Sequence, residues 1–139
     1  MTDKQEEKID IAAVLEQIKE RIPPHYAKTI ECDSGWHEIV CKCHLELVKI
    51  DPMYEVYQVK EKFGSLRYYF GTKSNDLKEA AMWEISMKYE KLSFDVCEIT
   101  GKPGKLMHKQ GIYKTLAEEY EKEGWEPVER VSVDRVFGI

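Results

Sequence analysis

Residues Gln58 to Phe70 read QVKEKFGSLRYYF, and the way this stretch pairs with itself decides the fold. Two β-rich runs flank Gly64-Ser65, a pair that suits a two-residue type II′ hairpin turn because glycine takes the positive φ of the first turn position. That register pairs Phe63 with Leu66, Lys62 with Arg67, Glu61 with Tyr68, Lys60 with Tyr69 and Val59 with Phe70. Side chains alternate across a strand, so Tyr57, Val59, Phe63, Leu66, Tyr68 and Phe70 share a core face. The opposite face collects Gln58, Lys60, Lys62, Arg67 and Tyr69. Like charges facing each other weaken a ladder, so Lys62 opposite Arg67 calls for an acidic neighbour or an anionic ligand. A three-residue loop instead slips the register by one and sets Arg67 against Glu61 as an ordinary ion pair. Lys60 and Lys62 are then solvated edge residues.

Outside the hairpin, 139 residues are the size of one domain, long enough to bury about two-thirds of the unfolded surface. No apolar run is long enough to span a bilayer. The opening MTDKQEEKID is polar and partly acidic, unlike a secretory signal, so a soluble, cytoplasmic protein is expected. A net charge of −5 argues against broad coating of nucleic acid but leaves room for a local basic face. Cys32, Cys41, Cys43 and Cys97 are expected as reduced thiols.

Helical spacing of Ile11, Val14, Leu15, Ile18 and Ile22 predicts a first helix, capped by Asp10 and stopped at Pro23-Pro24. Ser34 or Asp33 is the expected cap of a second helix over 36–50, with Trp36, Val40, Cys43, Leu47 and Ile50 as one stripe. His37, Cys41, His44 and Val48 flank that stripe, and the wide apolar arc places this helix centrally. A third helix is expected from Ser74-Asn75-Asp76 to about Phe94, its inner face Ala81, Ile85, Tyr89 and Leu92. The stretch CEITGKPGK, Cys97 to Lys105, reads as a turn-rich connector, followed by a short helix over 113–122 and a strand-like run over 128–133. The sum is a single α+β domain over 1–139, with about four helices around a small antiparallel sheet and a central hairpin. Residues 1–9 read as a disordered N-terminus, and 124–139 as an edge-strand or homo-oligomerisation tail.

Gly35-Trp36, the helix behind it, VKEKFGSLRYYF and the later CEITGKPG…TLAEEY resemble a family of small, mostly uncharacterised bacteriophage and prophage proteins. The resemblance covers roughly 35–120, and Val59 to Tyr69 matches that family's hairpin form VKEKFGGLRFY. Many members carry a zinc knuckle of form C-x2-C followed by C-x2-H. Its ligand positions fall here on Cys97, Thr100, Ala117 and Tyr120, so the resemblance implies a retained fold with a degenerate knuckle and no zinc.

His37, Cys41 and His44 stand at i, i+4 and i+7 on one helix face, with Cys32 near the helix start, a spacing that can converge on a metal. The competing reading is that these residues line the edge of a core helix. Cys97 and His108 lack a third group to make a nucleophilic site. Gly101-Lys102-Pro103-Gly104-Lys105 offers amides and lysines to a phosphate, or is a tight turn. No phosphate loop, dinucleotide fingerprint or nucleophile elbow is present, so no catalytic residues, enzyme activity or cofactor are expected.

The expected binding set is Lys60, Lys62, Arg67 and Tyr69: arginine forks onto phosphate, lysines add charge and tyrosine stacks on a base. The phage resemblance implies a non-enzymatic accessory protein acting by capture. It would antagonise host defence as a sponge for an anionic nucleotide signal, or by binding a defence protein in the host cytoplasm. The alternatives are a nucleic-acid-binding or regulatory module using the same face, and a purely structural or protein-interaction domain.

Overall fold

The apolar spacing of the first helix places Val14 and Ile18 inward along α1 (Ile11–Glu20), and Ile22 is buried just beyond it. Asp10 caps the helix by accepting from the Ala13 amide at 3.1 Å. A computed structural model describes residues 8–130. Ile9 already packs against the core, so order begins before the sequence reading placed it; residues 1–7 lie outside the described range.

Strand β1 (Ile30–Glu31) leads into a 3-10 turn (Ser34–Trp36), and α2 (His37–Ile50) grows directly from it. Neither Asp33 nor Ser34 makes the expected side-chain cap; the 3-10 turn replaces it. Val40, Cys41, Cys43, His44 and Leu47 are buried, as the wide apolar arc required.

Strands β2 (Glu55–Lys62) and β3 (Ser65–Gly71) form the hairpin, and β1 joins β2 in parallel to give the order β1-β2-β3. The turn sits one residue earlier than Gly64-Ser65: Phe63 (φ 52°) and Gly64 (φ 81°) both take positive φ, as in a type I′ turn. Lys62 therefore pairs with Ser65, Glu61 with Leu66, Lys60 with Arg67, Val59 with Tyr68 and Gln58 with Tyr69. Tertiary contacts explain why a phenylalanine accepts this conformation. The Gly64 amide donates to Glu61 at 2.7 Å, and its carbonyl accepts from Thr115 at 2.5 Å. A Cβ on Gly64 would meet Leu106 at 2.5 Å. Moving the turn by one residue changes every partner by two, so each strand keeps its alternation. Val59, Leu66, Tyr68 and Phe70 remain inside, whereas Phe63 leaves the core face for the turn.

A bulge between Val56 and Gln58 corrects the sequence reading again. Val56 enters the core opposite Phe70, and Tyr57 turns outward.

Helix α3 (Asp76–Ser93), capped by Asn75 on the Lys78 amide, lies along β3. Its buried positions are Met82, Ser86, Tyr89 and Ser93 rather than Ala81 and Leu92. Ser93 accepts from the Leu66 amide at 2.9 Å, and Ser86 donates to the Tyr68 carbonyl at 3.1 Å. The serines thus pair with two polar groups of the outer edge of β3, which a 3.6-residue apolar pattern does not reveal. Glu46 of α2 ties the two helices together through Lys88 at 2.8 Å and Tyr89.

The described chain is α+β, with a second three-stranded sheet of order β5-β4-β6. Strands β4 (Lys105–Lys109) and β5 (Ile112–Leu116) join through Gln110-Gly111, again with both φ positive. The helix expected over 113–122 is absent in that form: 113–116 is strand, and a 3-10 helix (Glu118–Glu123) follows. Strand β6 (Glu126–Pro127) pairs with β4, one or two residues ahead of the expected strand; the expected tail beyond 130 lies outside the described residues.

Two buried clusters result, a large one under the first sheet and a small one around Cys97, Met107, Leu116 and Ala117. Gly35 and Trp36 connect them. A Cβ at Gly35 would overlap the Cys97 and Glu98 carbonyl oxygens, and the Trp36 indole donates to the Val96 carbonyl at 2.8 Å. Beside them Glu98, 2% exposed, accepts from the Asp33 amide at 3.0 Å and from Lys114 at 3.1 Å. Burial raises its carboxyl above the usual range. In the large core His44 meets the Tyr54 hydroxyl at 2.6 Å, which meets the Tyr68 hydroxyl at 2.7 Å. Burial, with Arg21 nearby, lowers the His44 pKa to about 4.

Candidate functional site

Strand alternation puts Gln58, Lys60 and Lys62 of β2 on the outer face of the first sheet with Arg67 and Tyr69 of β3, as the sequence indicated. Four expected site residues therefore share a surface, but they are not equivalent. Arg67 is directed toward α3: its Nε donates to the Ser65 hydroxyl at 3.0 Å and lies 3.9 Å from Glu90. With its side chain 17% exposed, Arg67 is largely engaged inside the protein. Its acidic neighbour in the fold is Glu90 rather than Glu61. Lys60 stands directly opposite it in the ladder, a like-charge pairing that Glu90 helps offset. Lys60 and Lys62 make no ion pair among the described residues.

The bulge adds what the sequence reading lacked. Tyr57, counted there as a core residue, lays its ring across Gly71, whose missing Cβ supplies the seat; a Cβ would sit 2.8 Å from Tyr57 Cε2. Tyr26, after the Pro23-Pro24 stop, brings its ring to 5.4 Å from Tyr57, and His25 stacks behind Tyr26 at 4.7 Å. Tyr26 and Tyr57, together with Tyr69, Gln58, Glu31 and Ala27, line an open cleft of about 290 Å³. Glu31 is placed by β1, opposite Lys60 in the parallel ladder. Its two oxygens accept from Thr29 at 3.0 Å and from Gln58 at 3.4 Å. Tyr26 and Tyr57 are 43% and 36% exposed, high values for rings that a core would normally take. One clue in the sequence pointed here: Gly71 ending a strand of aromatic residues, since glycine inside a strand often marks close approach.

The other candidates resolve into structural roles. His37 Nε2 lies 3.3 Å from the Cys32 carbonyl, the Cys41 thiol points at the Ile11 carbonyl and His44 is bound to Tyr54. Cys32, His37, Cys41 and His44 thus serve separate neighbours. No group of three or more His, Cys, Asp or Glu residues placed to hold a metal occurs among the described residues. Burial, with Glu98 close by, pushes the Cys32 thiol up to about 12. The Gly101–Lys105 turn spends its amides internally, Gly101 on the Cys97 carbonyl and Gly104 on the Asp95 carbonyl, each at 2.9 Å. Its lysines pair with the 3-10 helix, Lys102 with Glu119 at 3.2 Å and Lys105 with Glu121 at 3.3 Å.

At the four positions that the family resemblance would align with knuckle ligands, Cys97 and Ala117 are buried with Tyr120 packed on them, and the Thr100 amide donates to the Cys97 sulfur at 3.4 Å. A tetrahedral zinc needs four Cys or His donors, and Thr100, Ala117 and Tyr120 bring none, so these residues do not fit the metal. His108 is occupied by its own hairpin turn, accepting from the Gly111 amide at 3.1 Å, and Cys97 is fully buried. No helix among the described residues is long and apolar enough to cross a membrane.

Comparisons with protein-family models, with curated proteins and with solved structures find no match to this chain.

Proposed function

We propose that this protein works by binding, and that the outer face of its first sheet takes a planar aromatic ligand carrying negative charge, of which a nucleotide is the biological type. The observation that carries this reading is the Tyr57 ring, turned out of the core by a bulge and seated on Gly71 beside Tyr26 and Tyr69. Burial of such rings stabilises a fold, so a cluster held at the surface suits stacking on a ligand base, worth about 1–3 kcal/mol per contact. Lys60 and Lys62 continue along the same face in steps of about 7 Å and supply the charge for phosphate. Arg67 is a supporting residue that keeps the strand joined to α3. In a phage-type accessory protein the reading is stoichiometric, non-enzymatic capture of a nucleotide signal of host defence.

The test is isothermal titration with mono-, di- and cyclic nucleotides, with Tyr57→Ala and Lys60→Glu/Lys62→Glu as controls. Saturation at one ligand per site, lost in both variants, supports the reading. A folded wild-type protein that ignores the whole panel at millimolar ligand removes it. Affinity that grows with strand length and falls steeply with salt reassigns the face to single-stranded nucleic acid.

A second reading, protein interaction, draws on a different observation. The outward side of α3 exposes Leu77, Met87 and Leu92, with Trp83 at its margin. Light scattering over a wide concentration range separates self-association through this side from a monomer that captures another protein.

A further inference from the structure

The polar floor of the tyrosine cleft is specific enough to name a base, an argument that rests on the binding proposal above. The rings are indifferent to base identity, because every base has a π-face. Selection must come from groups that meet the edge of the base, and the cleft lining offers two of them, the Glu31 carboxylate and the Gln58 amide. Strand pairing sets the Glu31 backbone, and its exposed carboxylate accepts from Thr29 at 3.0 Å on the cleft side, which leaves oxygen lone pairs for a ligand. Its bond to Gln58 is long, 3.4 Å, and easily exchanged for a better donor.

A carboxylate accepts two parallel N–H bonds and donates none. Among the nucleobases, guanine presents two adjacent donors on its pairing edge, N1–H and the N2 amine. Adenine and cytosine each set one donor beside a ring-nitrogen acceptor, which a carboxylate repels. Uracil sets a single donor between two carbonyls. We infer that Glu31 reads the N1–H and N2 amine of guanine while the Gln58 amide donates to its O6 and Tyr26, Tyr57 and Tyr69 enclose the ring. Lys60, the cross-strand neighbour of Glu31, and Lys62 one step beyond it lie past Gln58 on the same strand face, so the phosphate end of the ligand meets these two lysines, which also offset the Glu31 charge.

Free nucleotide and a guanine within a strand share this chemistry, and the experiment separates them. Titrate GMP, IMP, AMP, CMP and UMP into wild-type and Glu31→Gln protein at one salt concentration, with a short oligouridine carrying one central guanine alongside. The expected order is GMP at least about tenfold tighter than AMP, with IMP between them because it lacks the N2 amine. Glu31→Gln should shrink the GMP-to-AMP ratio to about threefold or less and leave AMP binding in place. That retained binding shows that the variant still folds and still stacks. Equal affinity for all five, or a ratio unchanged by Glu31→Gln, overturns the base assignment and leaves the binding proposal standing. No binding of any nucleotide or oligonucleotide to wild type overturns both. Tighter binding of the oligouridine than of GMP keeps the guanine assignment and makes its source a strand.

Discussion

Acid should unfold this protein through His44, and the effect can be sized. The imidazole is 1% exposed, held against Tyr54 at 2.6 Å, with its pKa lowered from 6.5 to about 4. Burial is the main cause, and the Arg21 guanidinium, which also donates to the Tyr54 carbonyl, adds to it. Between pH 6.5 and 4 the unfolded chain takes up a proton that native His44 refuses. The stabilisation is therefore complete above the unfolded pKa and fades as pH falls toward the folded one. The gap between 6.5 and about 4, at 1.36 kcal/mol per pH unit, comes to about 3 kcal/mol, of which about 2.5 is gone by pH 4.5. Urea unfolding followed by tryptophan fluorescence reads this as a midpoint drop of roughly 1–2 M. Other groups titrate nearby: Asp51, lowered by its hydrogen bond from Thr72, acts in the same direction, and buried Glu98 acts oppositely. His44→Gln isolates the histidine. Its stability should fall less than wild type by about 2.5 kcal/mol over pH 7.5 to 4.5, so the two curves converge in acid. Parallel curves refute the reasoning.

Three more outcomes follow from the geometry. Gly71→Ala pushes a methyl group into the seat of Tyr57, so affinity for the best nucleotide in a titration should fall by tenfold or more, matching Tyr57→Ala, with the fold retained. Lys114→Met leaves Glu98 buried without its cation and should cost about 2–3 kcal/mol in urea at pH 7.5; the cost shrinks as the pH is lowered, because burial already raises the Glu98 carboxyl and a protonated Glu98 no longer needs the cation. Gly35→Ala drives a methyl group into the Cys97 and Glu98 backbone and should cost about 3 kcal/mol or abolish soluble expression, with red-shifted emission from Trp36 in whatever folds.

The helices were legible because their information is local. Asp10, Asn75 and the Pro23-Pro24 stop mark boundaries within one turn, and the structure places the ends of α1 and the start of α3 within three residues of them. The inner face of α3 was not legible. Ser86 and Ser93 are buried for their hydroxyls, which serve the edge of a strand twenty or so residues earlier, and apolar periodicity carries no record of that. The hairpin was half legible: its faces survived a misplaced turn because alternation is local, while the turn itself was decided by Thr115 and Glu61. The hairpin of β4 and β5 was readable in principle from Gln110-Gly111 between alternating runs, a signal obscured by the helix-forming Leu116-Ala117-Glu118-Glu119 that follows. For the candidate site, Lys60, Lys62 and Tyr69 came from the pattern. Tyr57 required the bulge, and Tyr26 and Glu31 required the parallel pairing of a two-residue strand, which leaves almost no trace in sequence.

The two serines of α3 carry one more consequence. A sheet grows by offering unpaired amides and carbonyls at its rim, and that is how chains of one protein aggregate strand upon strand. The Leu66 amide is given to Ser93 and the Tyr68 carbonyl is taken by Ser86, so α3 occupies two polar groups of the β3 rim and lies along it. The opposite rim is β1, only two residues long. A second copy that paired along β3 would have to displace these two bonds and the helix that makes them, which disfavours polymerisation by that route in the native state. Replacing both serines by alanine would reopen the rim, and the first symptom should be fibrils or insoluble protein at concentrations where the wild type stays clear.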